Sequence, residues 1–287
     1  MTTREFRFGA SMRASASKTE WQQAARQVED LGYDVLLVPD HLGMVAPFPT
    51  LVSAADVTER VRLGTFVLNA GFFRPALLAR DVAAVDQLSD GRFELGLGAG
   101  YAREEFEAAE IPFPSAGSRI DHLEHTVTEV RRLLADPAHQ PRPVQPRIPI
   151  VVAGQGDRLL TLAARHADTV GIAGVQPGDD VTQRGTLPER VDLLRRAAGE
   201  RFAELELNLM ILSVHIDGSG PADFGLAPLF YPDFSDEQLL TVPTVLHGSE
   251  EGIADTLREF RDRFGITYFT VTSHDMQAFA KVIARLR

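Results

Sequence analysis

Short apolar runs alternate with amphipathic stretches from one end of the chain to the other. The runs at residues 6–10, 33–38 (YDVLLV), 62–68 (RLGTFVL), 93–95, 150–153 (IVVA), 169–173, 205–215 and 266–272 are predicted strands. Several carry apolar residues at consecutive positions, the pattern of a strand covered on both faces. Between them the apolar residues fall at helical spacing, as with Trp21, Ala24, Ala25, Val28 and Leu31. Ser17 and Glu20 have capping-box spacing ahead of that stripe, and Gly32 stops it. Helices are also predicted at 49–59, from Pro75 to 88, at 104–110, 119–134, 157–166, 187–202 and 250–264, with a closing helix at the end. Pro75 suits a first helical position.

Eight strand–helix units in strict alternation imply a parallel sheet, and eight units point to a closed (β/α)8 TIM barrel rather than an open doubly wound sheet. A weak internal echo agrees: Leu31-Gly32-Tyr33-Asp34 leading to Asp40-His41 resembles Phe264-Gly265-Ile266-Thr267 leading to Ser273-His274. Residues 1–287 read as one domain, because no long polar run suggests a linker. Residues 217–243, rich in Pro, Gly and Phe, are long for a connection and read as an insertion after strand 7.

Charge and composition narrow the partners. A net charge of −11 argues against a nucleic-acid surface, so an anionic ligand needs its own local cradle. The chain has no cysteine, which removes disulfides and thiolate metal sites. No apolar stretch is long enough to span a bilayer and the N-terminus lacks a signal-type apolar region, so a cytoplasmic setting is expected.

Barrel active sites lie at the C-terminal ends of the strands. Those ends are Ser11-Met12, Asp40-His41, Leu68-Asn69, Ala99-Gly100-Tyr101, residues 154–158, Gly174, residues 213–215 and Ser273-His274. Asp40-His41 is the sharpest pair, since a carboxylate beside an imidazole makes a proton donor or acceptor near neutral pH; a helix cap with a packed histidine is the plain alternative. Gly96-Leu97-Gly98-Ala99-Gly100 strips one face of the segment bare, so a planar ligand can lie against the main chain, or the segment is simply a tight turn. Gly154-Gln155-Gly156-Asp157-Arg158 opens a helix directly after a strand, where free amides attract phosphate. Phe72 and Phe73 look too exposed for core, whereas His122 and His125 read as surface and His247 as loop. His41, His215 and His274 lack the paired spacing of a metal site, so no metal is expected.

Taken together, VPDHLG (38–43), RLGTFVLNAGFFRPALLAR (62–80), LSDGRFELGLGAGYAREEF (88–106), EIPFP (110–114), VVAGQGDRLLTLAARHADTVG (151–171) and HGSEEGIADTLREF (247–260) resemble the luciferase-like flavin and deazaflavin oxidoreductases. The likeness is strongest to the subgroup that uses the deazaflavin coenzyme F420. It implies catalytic roles for Asp40 and His41, and a cis peptide between Phe66 and Val67 that bulges behind the coenzyme ring. It further implies cofactor contacts from Asn69, Gly98, Ala99, Gly100, Glu104 and Ala153, with Gly154, Gln155, Gly156, Asp157 and Arg158 cradling the phosphate.

Three departures stand out. Tyr101 occupies the place where F420-dependent sugar and alcohol dehydrogenases carry a glutamate, and becomes the third catalytic candidate. Met44 and Val45 stand where some of those enzymes have an aromatic residue, and the stretch between Leu134 and Pro146 is short. These departures argue against a sugar or simple alcohol as substrate. Met12, Phe72, Phe230 and Tyr231 are the candidate substrate contacts.

The expectation is an F420-dependent oxidoreductase that moves a hydride between the coenzyme and a small organic molecule. An FMN-dependent monooxygenase of the same fold is the alternative, and a non-catalytic flavin-binding relative a third. The aromatic insertion suits a pocket wall or a homodimer contact equally.

Overall fold

The computed structural model describes residues 4–13, 17–172, 186–218, 220 and 223–287. In chain order the strands are β1 (Arg7–Ser11), β2 (Val35–Val38), β3 (Arg62–Thr65), β4 (Leu68–Asn69), β5 (Phe93–Gly98), β6 (Ile150–Gly154), β7 (Thr169–Ile172), β8 (Glu206–Met210), β9 (Ser213–Ile216), β10 (Val245–Gly248) and β11 (Ile266–Thr272). All but β9 and β10 belong to one parallel sheet in the order β3-β2-β1-β11-β8-β7-β6-β5-β4, and a further β3–β5 pairing closes it. β3 and β4 are two halves of one barrel strand, so the closed barrel has the eight strands that the alternation predicts.

The helices are α1 (Lys18–Asp30), α2 (Pro47–Ala55), α3 (Pro75–Leu88), α4 (Arg103–Ala108), α5 (Ala116–Ala135), α6 (Asp157–His166), α7 (Leu187–Ala198), α8 (Ala227–Phe230), α9 (Asp236–Leu239), α10 (Glu250–Phe264) and α11 (Met276–Leu286). Their ends follow local chemistry. The Ser17 side chain accepts from the Glu20 N–H at the start of α1, Pro75 opens α3, and Gly265 ends α10 at φ +74°. The last stretch of the predicted helix 187–202 tightens into a 3-10 turn at Gly199–Ala203.

Two expectations need correction. The run 205–215 is not one strand: it breaks after Met210, and β9 leaves the barrel to pair in parallel with β10. No glycine or proline in the run LELNLMILSVH marks the break, where the Leu212 and Ser213 N–H groups donate to the Thr244 carbonyl. His247, expected in a loop, therefore lies in a strand. Ala173 and Gly174 lie outside the described residues.

The barrel interior is layered. At the N-terminal end Glu94, buried to 2% side-chain exposure, is ion-paired with both Arg7 (2.5 Å) and Arg62, and Arg7 reaches Glu206 at 2.7 Å. Above this layer Val35, Leu37 and Tyr268 pack together with Phe66 against them. The outward faces carry the larger core, where Phe8 meets Phe279 of α11 edge-on at 5.7 Å.

Between β3 and β5 the register slips. Gly64 pairs with Glu94 and Leu68 with Leu97, so four residues on one side span three on the other. The extra residue is a bulge. It falls at Phe66–Val67, where the peptide bond is cis, as the family likeness implied.

Glu94 is the only carboxylate in contact with Arg62 among the described residues and one of two for Arg7. Glu94→Ala is expected to lower the unfolding free energy by about 2–3 kcal/mol, because it leaves the part-buried Arg62 without a carboxylate and Arg7 with Glu206 alone. Urea denaturation of the two proteins measures this directly.

Candidate active site

A cleft of about 680 Å³ opens at the C-terminal ends of the barrel strands. One wall is the bulge, Phe66 to Asn69, together with the main chain of Gly98, Ala99 and Gly100. The glycines serve this wall in a way the sequence reading did not anticipate. A Cβ on Gly96 would overlap the Thr65 carbonyl oxygen, and one on Gly98 would lie 2.8 Å from Val67 Cγ2. One on Gly100, at φ +74°, would overlap the Asn69 amide group. The bare face of β5 is thus filled first by the buckled β3–β4 strand. That strand, with the main chain of Gly98–Gly100, then presents the wall to the cleft.

Asp40 and His41 stand beside this wall, directly after β2, which pairs with β3. Asp40 Oδ2 accepts the Asn69 N–H at 3.1 Å, which ties the loop to the bulge. Burial pushes the Asp40 carboxyl above its ordinary range, opposed by the Asn69 hydrogen bond and His41 and reinforced by the charge of Glu105. His41 Nδ1 lies 2.7 Å from Glu105 Oε1, in the first turn of α4. With the carboxylate as acceptor, Nδ1 carries the proton. Nε2 then has no partner among the described residues. The Tyr101 ring stands edge-on to His41, centroids 5.9 Å apart, and burial holds its phenol above the usual value, with Glu105 adding to the shift.

At the other end of the cleft, β6 runs through Ala153 and Gly154 into Gln155 and Gly156, all four lining it. Gly156 is the N-cap of α6 and no side chain caps that helix, so its first amides are available to an anion. Arg190 supports the turn from behind by donating to the Gln155 carbonyl at 3.0 Å. Arg119 of α5 lines the cleft nearby, held by the Gly100 carbonyl at 3.0 Å and the Pro114 carbonyl at 2.6 Å, over the Phe113 ring. Its partners are neutral; no carboxylate pairs with it among the described residues. Burial and the charge of Arg103 lower its pKa.

A family profile described as luciferase-like monooxygenase matches residues 3–216, most of the chain. The chain belongs to the luciferase-like monooxygenase family. An F420-dependent glucose-6-phosphate dehydrogenase from Intrasporangium calvum is 31% identical to this family member over 188 residues, 53% of this chain and 56% of that protein. Another F420-dependent glucose-6-phosphate dehydrogenase, from Microbacterium testaceum, is 30% identical over 213 residues, 66% of this chain and 62% of that protein. The matches to such curated relatives span about half to three fifths of their length. Among solved structures, an F420-dependent secondary alcohol dehydrogenase superposes with a TM-score of 0.77 at 16% identity, covering 99% of this chain and 100% of that one. A long-chain alkane monooxygenase, LadA, gives 0.79 at 14% identity, covering 99% and 92%. Likeness at such identities establishes the shared (β/α)8 barrel.

Within this luciferase-like site the structure redistributes several expected residues. Asp40, His41, Tyr101, Phe66, Val67, Asn69, Gly98, Ala99, Gly100, Ala153, Gly154, Gln155, Gly156 and Phe230 all line the cleft. Glu104 does not; its neighbour Glu105 does, turned inward by one helical step. Asp157 and Arg158 are exposed, and Arg158 is drawn away to the Gly117 carbonyl (3.1 Å) and to Asp121. Met12 is buried in the main core, and Tyr231 packs with Leu212, Leu239 and Val245 under the insertion.

Phe72 lines a separate cavity of about 330 Å³, beside Phe106, and Phe73 packs on Phe48. His122, read as surface, is half-buried and meets the Ala70 carbonyl at 3.0 Å. Of the three histidines weighed for a metal, His41 and His274 line the cleft, whereas His215 lies on β9 outside the barrel.

Asp40 offers a test of the site's electrostatics. Because burial raises its folded-state pKa, the unfolded chain releases this proton first, so ionisation costs stability as the pH rises through that interval. Asp40→Asn keeps an acceptor for the Asn69 N–H and removes the buried charge. Its melting temperature should come closest to wild type at strongly acidic pH, below the ordinary carboxylate range, and exceed it at pH 7. Parallel thermal melts across that range are the measurement.

Proposed function

We propose that this protein is an oxidoreductase that uses F420, moving a hydride between the coenzyme and a small organic substrate. The observation that carries the reading is the presence of two chemically distinct groups of residues in one cleft. One suits an anion, with the uncapped α6 terminus at Gly156 and Arg119 lacking a carboxylate partner among the described residues. The other is a proton-transfer group, His41 on Glu105, next to the bulge wall. A flat tricyclic ring with an anionic tail fits this sequence of features, and the named relatives that use F420 support the choice of deazaflavin.

In this reading the bulge and the Gly98–Gly100 main chain would hold the ring, while the Gly154–Gly156 turn and Arg119 would hold the phosphate. When bound, the coenzyme supplies a carbon that accepts or donates a hydride, which is the hard part of the chemistry. The protein's own residues do the rest. Glu105 fixes the His41 ring and its tautomer, leaving Nε2 to give or take the proton that accompanies the two-electron change. Asp40 holds the His41 loop against the bulge through Asn69. Tyr101, edge-on to the imidazole, offers a second donor, its phenol hydroxyl.

Titration of the protein into F420 and, separately, into FMN, followed by fluorescence, tests the cofactor. F420 is expected to bind and FMN to bind at least tenfold more weakly, about 1.4 kcal/mol; the reverse order would favour a flavin enzyme. Arg119→Ala should weaken F420 by about tenfold, the scale of a lost charge-assisted hydrogen bond, whereas Arg158→Ala should leave it unchanged. In turnover with a competent substrate, His41→Ala should lower kcat by about 100-fold or more with the coenzyme affinity preserved.

A further inference from the structure

The substrate side of the cleft is chemically unlike its coenzyme side. Where β8, the insertion and the β2 loop meet, the lining is Met44, Met210, Leu226, Leu229 and Phe230. The apolar character continues outward over the rim. Leu42, Val45, Tyr101 and Leu229 are 48, 48, 50 and 58% exposed. They are four of the eight large hydrophobic residues exposed among the described residues. Leu42 and Val45 flank the turn whose His41 and Met44 line the cleft, and Tyr101 and Leu229 line it themselves. Exposed apolar side chains scattered singly need no explanation, but Tyr101 and Leu229 are at once exposed and part of the cleft lining, which bears on what the cleft takes.

Among the described residues the charged groups lining this side are mostly engaged. Glu105 is bound to His41, and His274 pairs with Asp223 at 3.0 Å. Arg13 is exposed at the edge. The chain has two lysines, Lys18 and Lys281, and neither lines the cleft. A phosphorylated sugar needs several fixed donors and a cation where its phosphate ends. Here the wall beside His41 and Tyr101 is apolar, built by Met44, Met210, Leu226, Leu229 and Phe230, with Ser11, Arg13, Thr272, Ser273 and His274 also among the polar residues of the cleft.

The apolar wall is also well supported. Leu226 and Phe230 pack on the small core of Leu212, Ala227, Tyr231, Leu239, Val242 and Val245. The Leu226 N–H donates to the Leu212 carbonyl at 3.0 Å. Asp275, at the end of β11, accepts the Val214 N–H at 3.0 Å and the Thr272 hydroxyl at 3.2 Å, clamping β9 to the barrel. The surface that would face the substrate is therefore built on a fixed platform.

We propose that the substrate is an uncharged, largely apolar carbonyl compound, whose oxygen reaches His41 and Tyr101 and whose body leaves the cleft over Leu229 and Val45, rather than a sugar phosphate. The inference rests on the hydride-transfer reading only for which end of the cleft reacts. Its test is a binding measurement that does not require turnover.

The probes are benzylideneacetone, an aryl enone, and glucose 6-phosphate, each titrated by calorimetry into the F420-loaded protein and into the protein alone. The enone is expected to bind at least tenfold more tightly than the sugar phosphate. Leu229→Asp and Val45→Asp, both at exposed positions that tolerate a charge, should each weaken the enone about fivefold to tenfold and leave F420 affinity unchanged. Tighter binding of glucose 6-phosphate, or enone affinity indifferent to both substitutions, overturns the proposal. If F420 itself fails to bind, the coenzyme reading falls, while the enone titrations on the protein alone still decide this one.

Discussion

The upper half of this barrel depends on a steric vacancy in β5. At Gly96 the neighbouring strand comes so close that the Thr65 carbonyl occupies the place of a side chain, and Gly98 and Gly100 make room in the same way for Val67 and Asn69. Without those gaps the β3–β4 strand would have to run straight, with its side chains alternating regularly in and out. With them it swells inward, breaks the pairing register by one residue and supplies a wall to the cleft. Asn69, thus displaced, offers its N–H to Asp40, so the same steric fact reaches the loop that carries His41.

Below that level the barrel is closed by charge. Arg7, Arg62, Glu94 and Glu206 neutralise one another where a closed sheet of small circumference leaves little room for water. The middle layer of Val35, Leu37, Phe66 and Tyr268 insulates this ionic floor from the cleft. The division suits a site whose own charges, on Asp40, Glu105 and Arg119, must respond to a ligand rather than to structural neighbours. It follows the general rule that one end of such barrels is given to stability and the other to chemistry.

The alternation of apolar runs and helical stripes was enough to read the eightfold barrel, because strands covered on both faces leave a distinctive pattern. The site was legible as a set of strand ends, and most of the expected residues do converge there. What escaped were facts of rotation and neighbourhood. Glu104 and Glu105 are equivalent as letters, and only the helical phase of α4 decides which meets His41. Arg158 stands in the right place along the chain, but Asp121 on the adjacent helix claims it, and Arg119 of that same helix lines the cleft instead. The glycines signalled a close approach by something, without identifying it as the protein's own strand. The break between β8 and β9 carries no glycine or proline, and the Thr244 carbonyl that takes up its N–H groups lies far along the chain.

The clamp at Asp275 has an evolutionary corollary. Because the insertion has its own small core and is fastened to the barrel through a few main-chain and carboxylate contacts, its outer surface can change without touching the α6 turn or the buckled wall. A barrel built this way can alter the wall it offers a ligand by changing one segment, while the strand pairing beneath stays as it is.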